Sequence, residues 1–445
     1  MIRTDVCILG AGAGGIGCAY RLIKSGIKTV VVDKNSDFGG SMVFSGVDGW
    51  EPGVSHDGLH NVLYKKLSGM KNGCHIVAQV PEESIFNRVG TDGWDYGYAF
   101  HKWPWALAQK SKFLYEDTFQ RVPYRYSKRL QFDPAAFSLS VNEIFAEHKE
   151  NLATFFGYKY KSCKTDGDKI VSITISNGQK TEEIFADVFV DSSGDIVLAR
   201  DAGCEYSFGT EGKDDYGEPS AFEKSNRINA VSFVFRISKA KNSEHIDEIP
   251  AEFAAVNIES FKQSRIKQTI CYIVEYPNGD YNINMLPTME GNEYFSLGSD
   301  ADKTGKAMVW AYWNYLQTEK NMKGFTLVHI YDAGVRESYR LRGKYVLREQ
   351  DLRAGEPLDV KSEKIIAIAD HAMDIHGQSG MCKELEKPYK IPIECAMTKE
   401  FNNLFVACRG ASFTHIAASS ARLSRTMISM GEGIGDYISQ KIFEK

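Results

Sequence analysis

Three glycines near the N-terminus have the spacing of a loop that binds a dinucleotide. Gly10, Gly12 and Gly15 form the pattern G-x-G-x-x-G between the apolar residues 6–9 and an amphipathic segment. Gly10 permits a tight turn, Gly12 lets a pyrophosphate approach the backbone, and Gly15 lets a helix pack on the preceding strand. Asp33 ends a second apolar segment and is placed to accept hydrogen bonds from a ribose diol. This unit predicts a site for NAD or FAD.

Two further segments favour FAD over NAD. In the sequence DFGGS of residues 37–41, the pair Gly39-Gly40 lets the chain pass close to the phosphates and ribityl chain of a cofactor. In the sequence FVDSSGD, an apolar strand over residues 188–190 runs into a Ser/Gly turn and a short helix. Such a turn far from the first unit suggests that the dinucleotide domain resumes there.

Four segments together resemble a known family. They are the start "GAGAGG…VVVD…FGG", the turn "FVDSSGD", the segment "RESYRLRGKYVL" and the ending "NLFVACRGASFTHIAASSARLSRTMISMGEGIG". The chain is similar to FAD-dependent oxidoreductases of the glutathione-reductase-type superfamily, and most similar to the FAD oxidoreductase family, distantly related to the flavoprotein subunit of heterodisulfide reductase. The resemblance implies an α/β fold with a three-layer, Rossmann-like FAD-binding domain. That domain is split along the chain and carries an inserted mixed or antiparallel β-sheet lobe for substrate.

The elements that must position this site can be assigned along the chain. Asp133 and Pro134 begin a helix as cap and first residue, and residues 168–180 read as a strand that closes on an Asn-Gly turn. The long apolar strands between residues 205 and 325 predict an inserted antiparallel sheet. We assign residues 1–75, 130–204 and 326–445 to the FAD-binding domain, and residues 76–129 and 205–325 to the substrate lobe.

The resemblance also assigns a role to the C-terminal segment. In similar flavoproteins a strand, here residues 404–407, and the helix after it cover the flavin ring. A helix beginning near Ala417 would direct its positive end at the pyrimidine oxygen of the flavin, with Arg409 and Arg422 adding to the effect. Cys408 stands where glycine is frequent, and Ala13 where proline is common.

His415 is the first candidate for catalysis, because it lies in the predicted ring-facing loop and is able to exchange the proton that accompanies hydride transfer. A purely structural histidine is the alternative. Arg336 and Arg340 would share one face if "RESYRLRG" were helical, and would clamp a carboxylate or phosphate. An internal ion-pair network that includes Glu337 is the alternative for this pair.

The predicted site residues form two sets, and the histidines His56, His60 and His101 are weaker candidates. For catalysis the set is His415, Arg409 and Arg336. For cofactor binding the set is Gly10, Gly12, Gly14, Gly15, Asp33, Lys34, Gly39, Gly40, Ser41, Ser193, Gly194, Asp195, Arg409 and Arg422.

Two other motifs have competing interpretations. In "WDYGYAFHKWPW", residues 94–105, a strand would place four aromatic rings on one face. This face would either stack against a ligand or pack into the core, and we favour the core because aromatic residues are frequent in buried strands. In "IAIADHAMDIHG", Asp370 and Asp374 with two nearby histidines imitate a metal site, but a solvated helix end capped by Gly377 is favoured. The cysteine spacing fits no iron-sulfur cluster. We predict non-covalent FAD and no metal.

Composition narrows the function classes. A net charge of -5 leaves no surplus of Lys and Arg for binding nucleic acid, and no apolar run approaches the length of a membrane span. The first predicted strand begins at about Thr4, so we expect no signal peptide. Nine cysteines without paired spacing indicate reduced thiols, so a cytoplasmic protein with a small-molecule substrate is expected, its oligomeric state undetermined. The sequence has no second strand-loop-helix G-x-G-x-x-G motif, which disfavours a separate nicotinamide-binding domain. No C-x4-C motif follows the Gly39-Gly40 pair, which disfavours disulfide reductase chemistry.

The sequence therefore predicts an FAD-dependent oxidoreductase that transfers hydride or electrons between a small organic substrate and flavin. Two alternatives stay open: a flavin monooxygenase using NAD(P)H and oxygen, and a flavin electron-transfer subunit that serves a partner protein.

Overall fold

The computed structural model describes residues 2–51, 58–78, 80–81, 128–377 and 380–444. Its strands, numbered β1 to β21 in chain order, are Ile2–Leu9, Thr29–Asp33, Gly49–Trp50, Cys74–Ala78, Val80–Pro81, Lys128–Phe132, Leu152–Phe156, Lys159–Asp166, Lys169–Ser176, Thr181–Asp191, Tyr206–Ser207, Val234–Lys239, Ile270–Glu275, Tyr281–Leu286, Phe325–Ile330, Arg340–Leu341, Ile365–Ala369, Met373–Ile375, Met381–Lys383, Tyr389–Pro392 and Leu404–Val406.

The α-helices within these residues are numbered in the same way. Helices α1 to α13 are Ala13–Lys24, Ser41–Phe44, Leu59–Ser68, Pro134–Ala146, Val197–Asp201, Lys213–Tyr216, Ala251–Ala254, Glu259–Ser264, Gly291–Leu297, Ala301–Glu319, Glu349–Ala354, His415–Ala421 and Ser424–Phe443.

The largest sheet is mostly parallel and joins distant parts of the chain. Its order is β7-β2-β1-β10-β9-β8, and β21 also pairs with β10. The pairs β1–β2, β2–β7, β1–β10 and β10–β21 are parallel, while β8, β9 and β10 form an antiparallel meander. The predicted strands over residues 6–9, 188–190 and 404–407 are confirmed. They lie side by side, so their carboxyl ends meet at one edge of the sheet.

Helices α1 and α13 pack against each other almost backbone to backbone. A Cβ atom added to Gly17 would lie 2.1 Å from the carbonyl oxygen of Ile428, and one added to Gly431 would lie 2.0 Å from that of Gly14. Only glycine fits at such contacts, because any side chain would overlap the facing main chain. The C-terminal helix is thereby fixed against the helix that follows the first glycine loop.

A five-stranded sheet of order β15-β12-β14-β13-β5 carries a second core. Its pairs are antiparallel, and the predicted Asn-Gly turn at Asn278 joins β13 to β14. The long helix α10 packs on this sheet through buried side chains such as Trp313 and Leu316. The expected antiparallel sheet is therefore present, and β15 extends it to Ile330. The predicted domain boundaries remain a prediction.

Helix α4 begins as the sequence predicts and provides a test of local stability. Asp133 accepts hydrogen bonds from the backbone N–H groups of Ala135 and Ala136, and its second oxygen lies 3.3 Å from the guanidinium of Arg236. We expect Asp133→Ala to lower the free energy of unfolding by about 1–2 kcal/mol. Asp133→Asn keeps the cap and loses only the ion pair, so chemical denaturation of both variants separates the two contributions. Equal losses would contradict the capping role.

Candidate active site

The described residues enclose a large cavity between the glycine loops and the antiparallel sheet. Its volume is about 2090 Å³, and one wall contains Gly10, Gly12 and Asp33, while Tyr272 and Asn284 lie on the other side. Pockets for small ligands commonly measure about 300–1,000 Å³. This cavity therefore has room for a dinucleotide and a second molecule beside it.

The first glycine loop presents bare backbone to the cavity. A Cβ atom on Gly12 would have only the Cα atom of Gly40 within 4 Å, at 3.9 Å, so the space above Gly12 is open. Gly40 has φ of +50°, and a Cβ there would lie 2.7 Å from the Cα of Gly12. The two predicted loops thus touch each other and form one floor at the N-terminal end of α1, which suits a phosphate group.

Asp33 fixes the shape of this loop. Its carboxylate accepts hydrogen bonds from the backbone N–H of Ala11, at 2.6 Å, and of Asn35, at 2.8 Å, while it also lines the cavity. The carboxylate is therefore held where β2 ends, beside the entrance of α1. This is the position from which an acidic residue binds a ribose in dinucleotide folds.

The turn after β10 adds a polar wall. Arg409 Nη2 lies 2.7 Å from Asp195 Oδ1, and both side chains line the cavity. Ser193 donates a hydrogen bond to Asp191, which is buried at the end of β10. Cys408 also lines the cavity, and burial raises the pKa of its thiol to about 12, which keeps the thiol neutral.

Most of the predicted cofactor-binding residues line this cavity, but Gly15 and Gly39 do not. Gly15 lies against the carbonyl of Gly10, 2.0 Å from an added Cβ, and Gly39 has φ of +131°. The predicted residues that line the cavity are Gly10, Gly12, Gly14, Asp33, Lys34, Gly40, Ser41, Ser193, Gly194, Asp195, Arg336, Arg409 and Arg422.

The helix that begins at the cavity wall is α13, not the one expected near Ala417. Helix α12 starts at His415, and its first backbone N–H groups bind Glu211 and the cap Thr414. By contrast Leu423 and Ser424, at the start of α13, line the cavity, and no side chain caps this end. The sequence motif therefore contains two helices, and the second one directs its positive end to the site.

His415 lies outside the large cavity. Its side chain is 5% exposed, and Nδ1 lies 2.8 Å from Glu337 Oε2. Burial would raise the pKa of Glu337, but the charges of His415 and Arg340 outweigh that effect and hold it below its usual value. The ring borders a separate cavity of about 390 Å³. His415 therefore does not line the cavity that contains the glycine loops, and its ring-facing position and catalytic role remain predictions.

The segment "RESYRLRG" is extended and not helical, which corrects the predicted arginine clamp. Arg340 begins β16, is fully buried and pairs with Glu337 and Glu211, so the ion-pair network is the right interpretation for it. Arg336 lies on the cavity wall, where Nη1 donates to Ala230 O and Ser232 Oγ. The two arginines serve different sites, because Arg336 lines the large cavity whereas Arg340 is paired with glutamates away from it.

The segment "IAIADHAMDIHG" contains strands β17 and β18 and no helix, and it places polar side chains on the cavity wall. In β18, Asp374 lies between the buried residues Met373 and Ile375, and His376 follows the strand; Asp374 and His376 line the cavity. His376 Nε2 lies 2.7 Å from Asp374 Oδ2. This period of two, apolar then polar, was the available signal for a strand, whereas the charges four residues apart suggested a helix.

The electrostatics keep His376 ready to accept a proton. Burial lowers the pKa of His376, and the nearby charge of Arg336 lowers it further, against the hydrogen bond to Asp374, which raises it. The ring is therefore neutral at pH 7. Because Nε2–H donates to the carboxylate of Asp374, Nδ1 is the nitrogen with an available lone pair.

The remaining candidates lie elsewhere. His60 is buried against Trp50, and His56, His101 and the aromatic residues 94–105 lie outside the described residues. In the part of the chain that the structure describes, no three His, Cys, Asp or Glu side chains are grouped as metal ligands, and no helix has the length and apolar character of a membrane span.

The wall of the cavity fits a dinucleotide. The Nε atoms of Arg409 and Arg422 are buried and form no hydrogen bond with the described residues, so they offer donors for a polar ligand. The open backbone at Gly12 accepts a group that no side chain fills. An α/β fold with these loops defines a dinucleotide-binding protein.

Comparison with known proteins identifies the family. The model of the FAD dependent oxidoreductase family matches residues 5–444, so this chain belongs to that family and is an enzyme. No curated protein matches it. Three solved structures are similar to this chain, and each match spans 100% of this chain and about 80% of the other protein's chain. They are a geranylgeranyl bacteriochlorophyll reductase-like protein from Thermoplasma acidophilum (10% identity, TM-score 0.48), the flavin-dependent brominase Bmp2 (10%, 0.48) and p-nitrophenol 4-monooxygenase from Pseudomonas putida (11%, 0.42).

Proposed function

We propose that this enzyme binds FAD non-covalently in the large cavity and transfers hydride between the flavin and a small organic substrate. The observation that carries the proposal is the continuity of the cavity, which extends from the Gly12–Gly40 floor to the His376–Asp374 pair and the antiparallel sheet. A cofactor bound along the floor would place its far end beside these polar groups. FAD, when bound, supplies the two-electron chemistry.

In this proposal the residues of three distant segments hold the cofactor. Gly12 and Gly40 would leave room for the phosphates, and Asp33 would bind the adenosine ribose. Arg409 and Asp195 would contact the ribityl chain of the cofactor. The parallel pairing of β1, β10 and β21 supports a discontinuous, Rossmann-like FAD-binding domain, with the five-stranded sheet as the substrate lobe. The start of α13 faces the cavity as a positive helix end.

His376 is the proposed proton acceptor. When a substrate alcohol or amine is oxidised, a carbon–hydrogen bond breaks as hydride and the O–H or N–H proton must go to a base. Nδ1 of neutral His376 takes that proton, and Asp374 orients the ring and stabilises the imidazolium that forms. Hydride and proton together account for the two electrons and two hydrogens that the substrate loses.

Anaerobic absorption spectroscopy tests the proposal. The FAD-loaded enzyme is mixed with a panel of alcohols, amines and hydroxy acids in the absence of NAD(P)H, and flavin absorbance near its long-wavelength maximum is followed. Bleaching by a substrate alone supports direct hydride transfer. Bleaching only by NAD(P)H, followed by oxygen uptake, would contradict it and favour a monooxygenase, and reduction only by a copurifying protein would favour an electron-transfer subunit.

A further inference from the structure

The cavity wall beside His376 carries more positive than negative charge. Arg336 and Arg422 both line the cavity there, and Asp374 is the carboxylate between them and His376. Arg422 Nη2 lies 3.6 Å from Asp374 Oδ2, the same oxygen that binds His376. One carboxylate thus faces two guanidinium groups and a neutral imidazole.

Arg336 is held without an acidic partner of its own. Its Nη1 donates to Ala230 O at 3.0 Å and to Ser232 Oγ at 2.9 Å, both neutral acceptors, and these are its hydrogen bonds within the described residues. These two bonds aim a rigid guanidinium at the cavity. Burial, together with the charge of Arg422, lowers the pKa of Arg336 to about 9 although Asp374 raises it, as expected for a buried cation with little compensation.

Other acidic groups on this side of the cavity have different basic partners. Arg425 Nη2 lies 2.7 Å from Asp370 Oδ1, and the carboxylate of Glu51 is 3.6 Å from Nε2 of His371. Arg340, in the neighbouring network, has two glutamates. Arg336 is therefore the guanidinium without a carboxylate at salt-bridge distance among the described residues, whereas Arg422 shares Asp374 with His376. Burying a charge without a partner is costly, so a site of this kind suits a ligand that supplies the partner.

We propose that the substrate carries an anionic group, a carboxylate or a phosphate, which Arg336 and Arg422 bind beside His376. Guanidinium groups form paired hydrogen bonds with both kinds of oxyanion, and a fork held in place loses little entropy on binding. This inference rests on the proposed function. It adds that the oxidised carbon lies close to the charged group, within reach of Nδ1 of His376, as in a hydroxy acid, an amino acid or a sugar acid.

The walls beyond the arginines suit the rest of such a molecule. Tyr272, Leu286 and Phe295 supply apolar surface, and Asn282 and Asn284 supply amides on neighbouring positions of β14. The Oδ1 atom of Asn284 is buried and accepts no hydrogen bond from the described residues. A hydroxyl or amine donor of the substrate would satisfy it.

Anion binding to the FAD-loaded protein tests the inference without turnover. Acetate, benzoate and inorganic phosphate are titrated at constant ionic strength, with acetamide and benzamide as neutral matches, and flavin difference spectra and the unfolding temperature are recorded. We expect at least one anion to bind saturably and its neutral match to bind at least tenfold more weakly. Comparison of the affinities for acetate or benzoate with the affinity for phosphate shows whether the anionic group of the substrate is a carboxylate or a phosphate.

Variants assign the effect to the arginine. Arg336→Met is expected to weaken anion binding about tenfold or more, and Arg336→Lys to weaken it less, because the charge remains without the fork. Arg342→Met is the matched control, since Arg342 follows in the same segment and forms a half-exposed pair with Glu205 outside the cavity. It should bind the anion like the wild type. If Arg336→Met fails to fold, Arg336→Lys decides the result.

The inference would be overturned by no saturable binding of any anion, by equal binding of an anion and its amide, or by anion affinity that is unchanged in both Arg336→Met and Arg336→Lys. Anions that bind only the FAD-free protein would also overturn it, because the two guanidinium groups would then belong to the flavin. FAD content is measured on every sample. Loss of FAD in the wild type would instead defeat the proposed function, so the two failures are distinguishable.

Discussion

Gly12→Val is expected to weaken FAD binding about a hundredfold without weakening the fold. Gly12 has φ of -80° and ψ of -168°, which valine adopts readily, and a Cβ there meets only the Cα of Gly40 at 3.9 Å. The side chain would occupy the space above the loop and hold phosphates away from the amides of α1. Loss of two charge-assisted hydrogen bonds at about 1.5 kcal/mol each corresponds to about a hundredfold weaker binding.

A neighbouring glycine provides the matched comparison. A Cβ atom on Gly14 would lie 1.8 Å from the carbonyl oxygen of Ala407, so Gly14→Ala must separate α1 from the C-terminal segment. We expect it to destabilise the FAD-free protein by about 3 kcal/mol, the upper end of the usual cost of overpacking, because the overlap is with main chain. Titration with FAD and denaturation of the apoprotein separate the two effects. Gly12→Val with normal FAD affinity would contradict the placement of the phosphates.

His376→Ala is expected to slow flavin reduction by about 100- to 10,000-fold while FAD stays bound, because it removes the proposed proton acceptor. Asp374→Asn should slow it as well, since the amide offers Nε2–H a weaker partner. The control is His245→Ala: His245 Nε2 lies 2.8 Å from Asp247 Oδ1, a carboxylate also two residues away in the chain, but His245 does not line the cavity. It should reduce like the wild type.

The pH dependence follows from the lowered pKa of His376. The base acts when neutral, and burial together with Arg336 keeps it neutral down to a pH below the ordinary value of 6.5. The rate of reduction should therefore be constant near pH 7 and fall only as the pH drops below 6.5. Stopped-flow reduction across this range measures the profile, and the inflection should disappear in His376→Ala. An inflection retained in that variant and lost in His415→Ala would restore His415 as the base.

The glycine loop and the helix start at Asp133 could be predicted because their signals are local. Backbone geometry at Gly12 and capping by Asp133 depend on residues within a few positions. The close contacts of Gly431 and Gly435 with α1, by contrast, were not predicted from the sequence.

The positions of Arg336, Asp374 and His376 could not be predicted in the same way. Charges four residues apart fit a helix, yet both segments are extended because their hydrogen bonds go to distant chain segments, such as that of Arg336 to Ala230. Likewise His415 stands in a motif that resembles a flavin loop, but its nearest partner is Glu337, 78 residues away. Tertiary partners of this kind leave no periodic signal in one sequence.

Release of the cofactor from purified protein tests the central claim most directly. The absorption spectrum is recorded before and after denaturation and filtration, and the released molecule is identified by mass spectrometry and counted per chain. The structure predicts flavin bands and close to one intact FAD in the filtrate, with none left on the protein. Colourless protein that cannot be reconstituted with FAD, or that binds NAD in the same cavity, would contradict it.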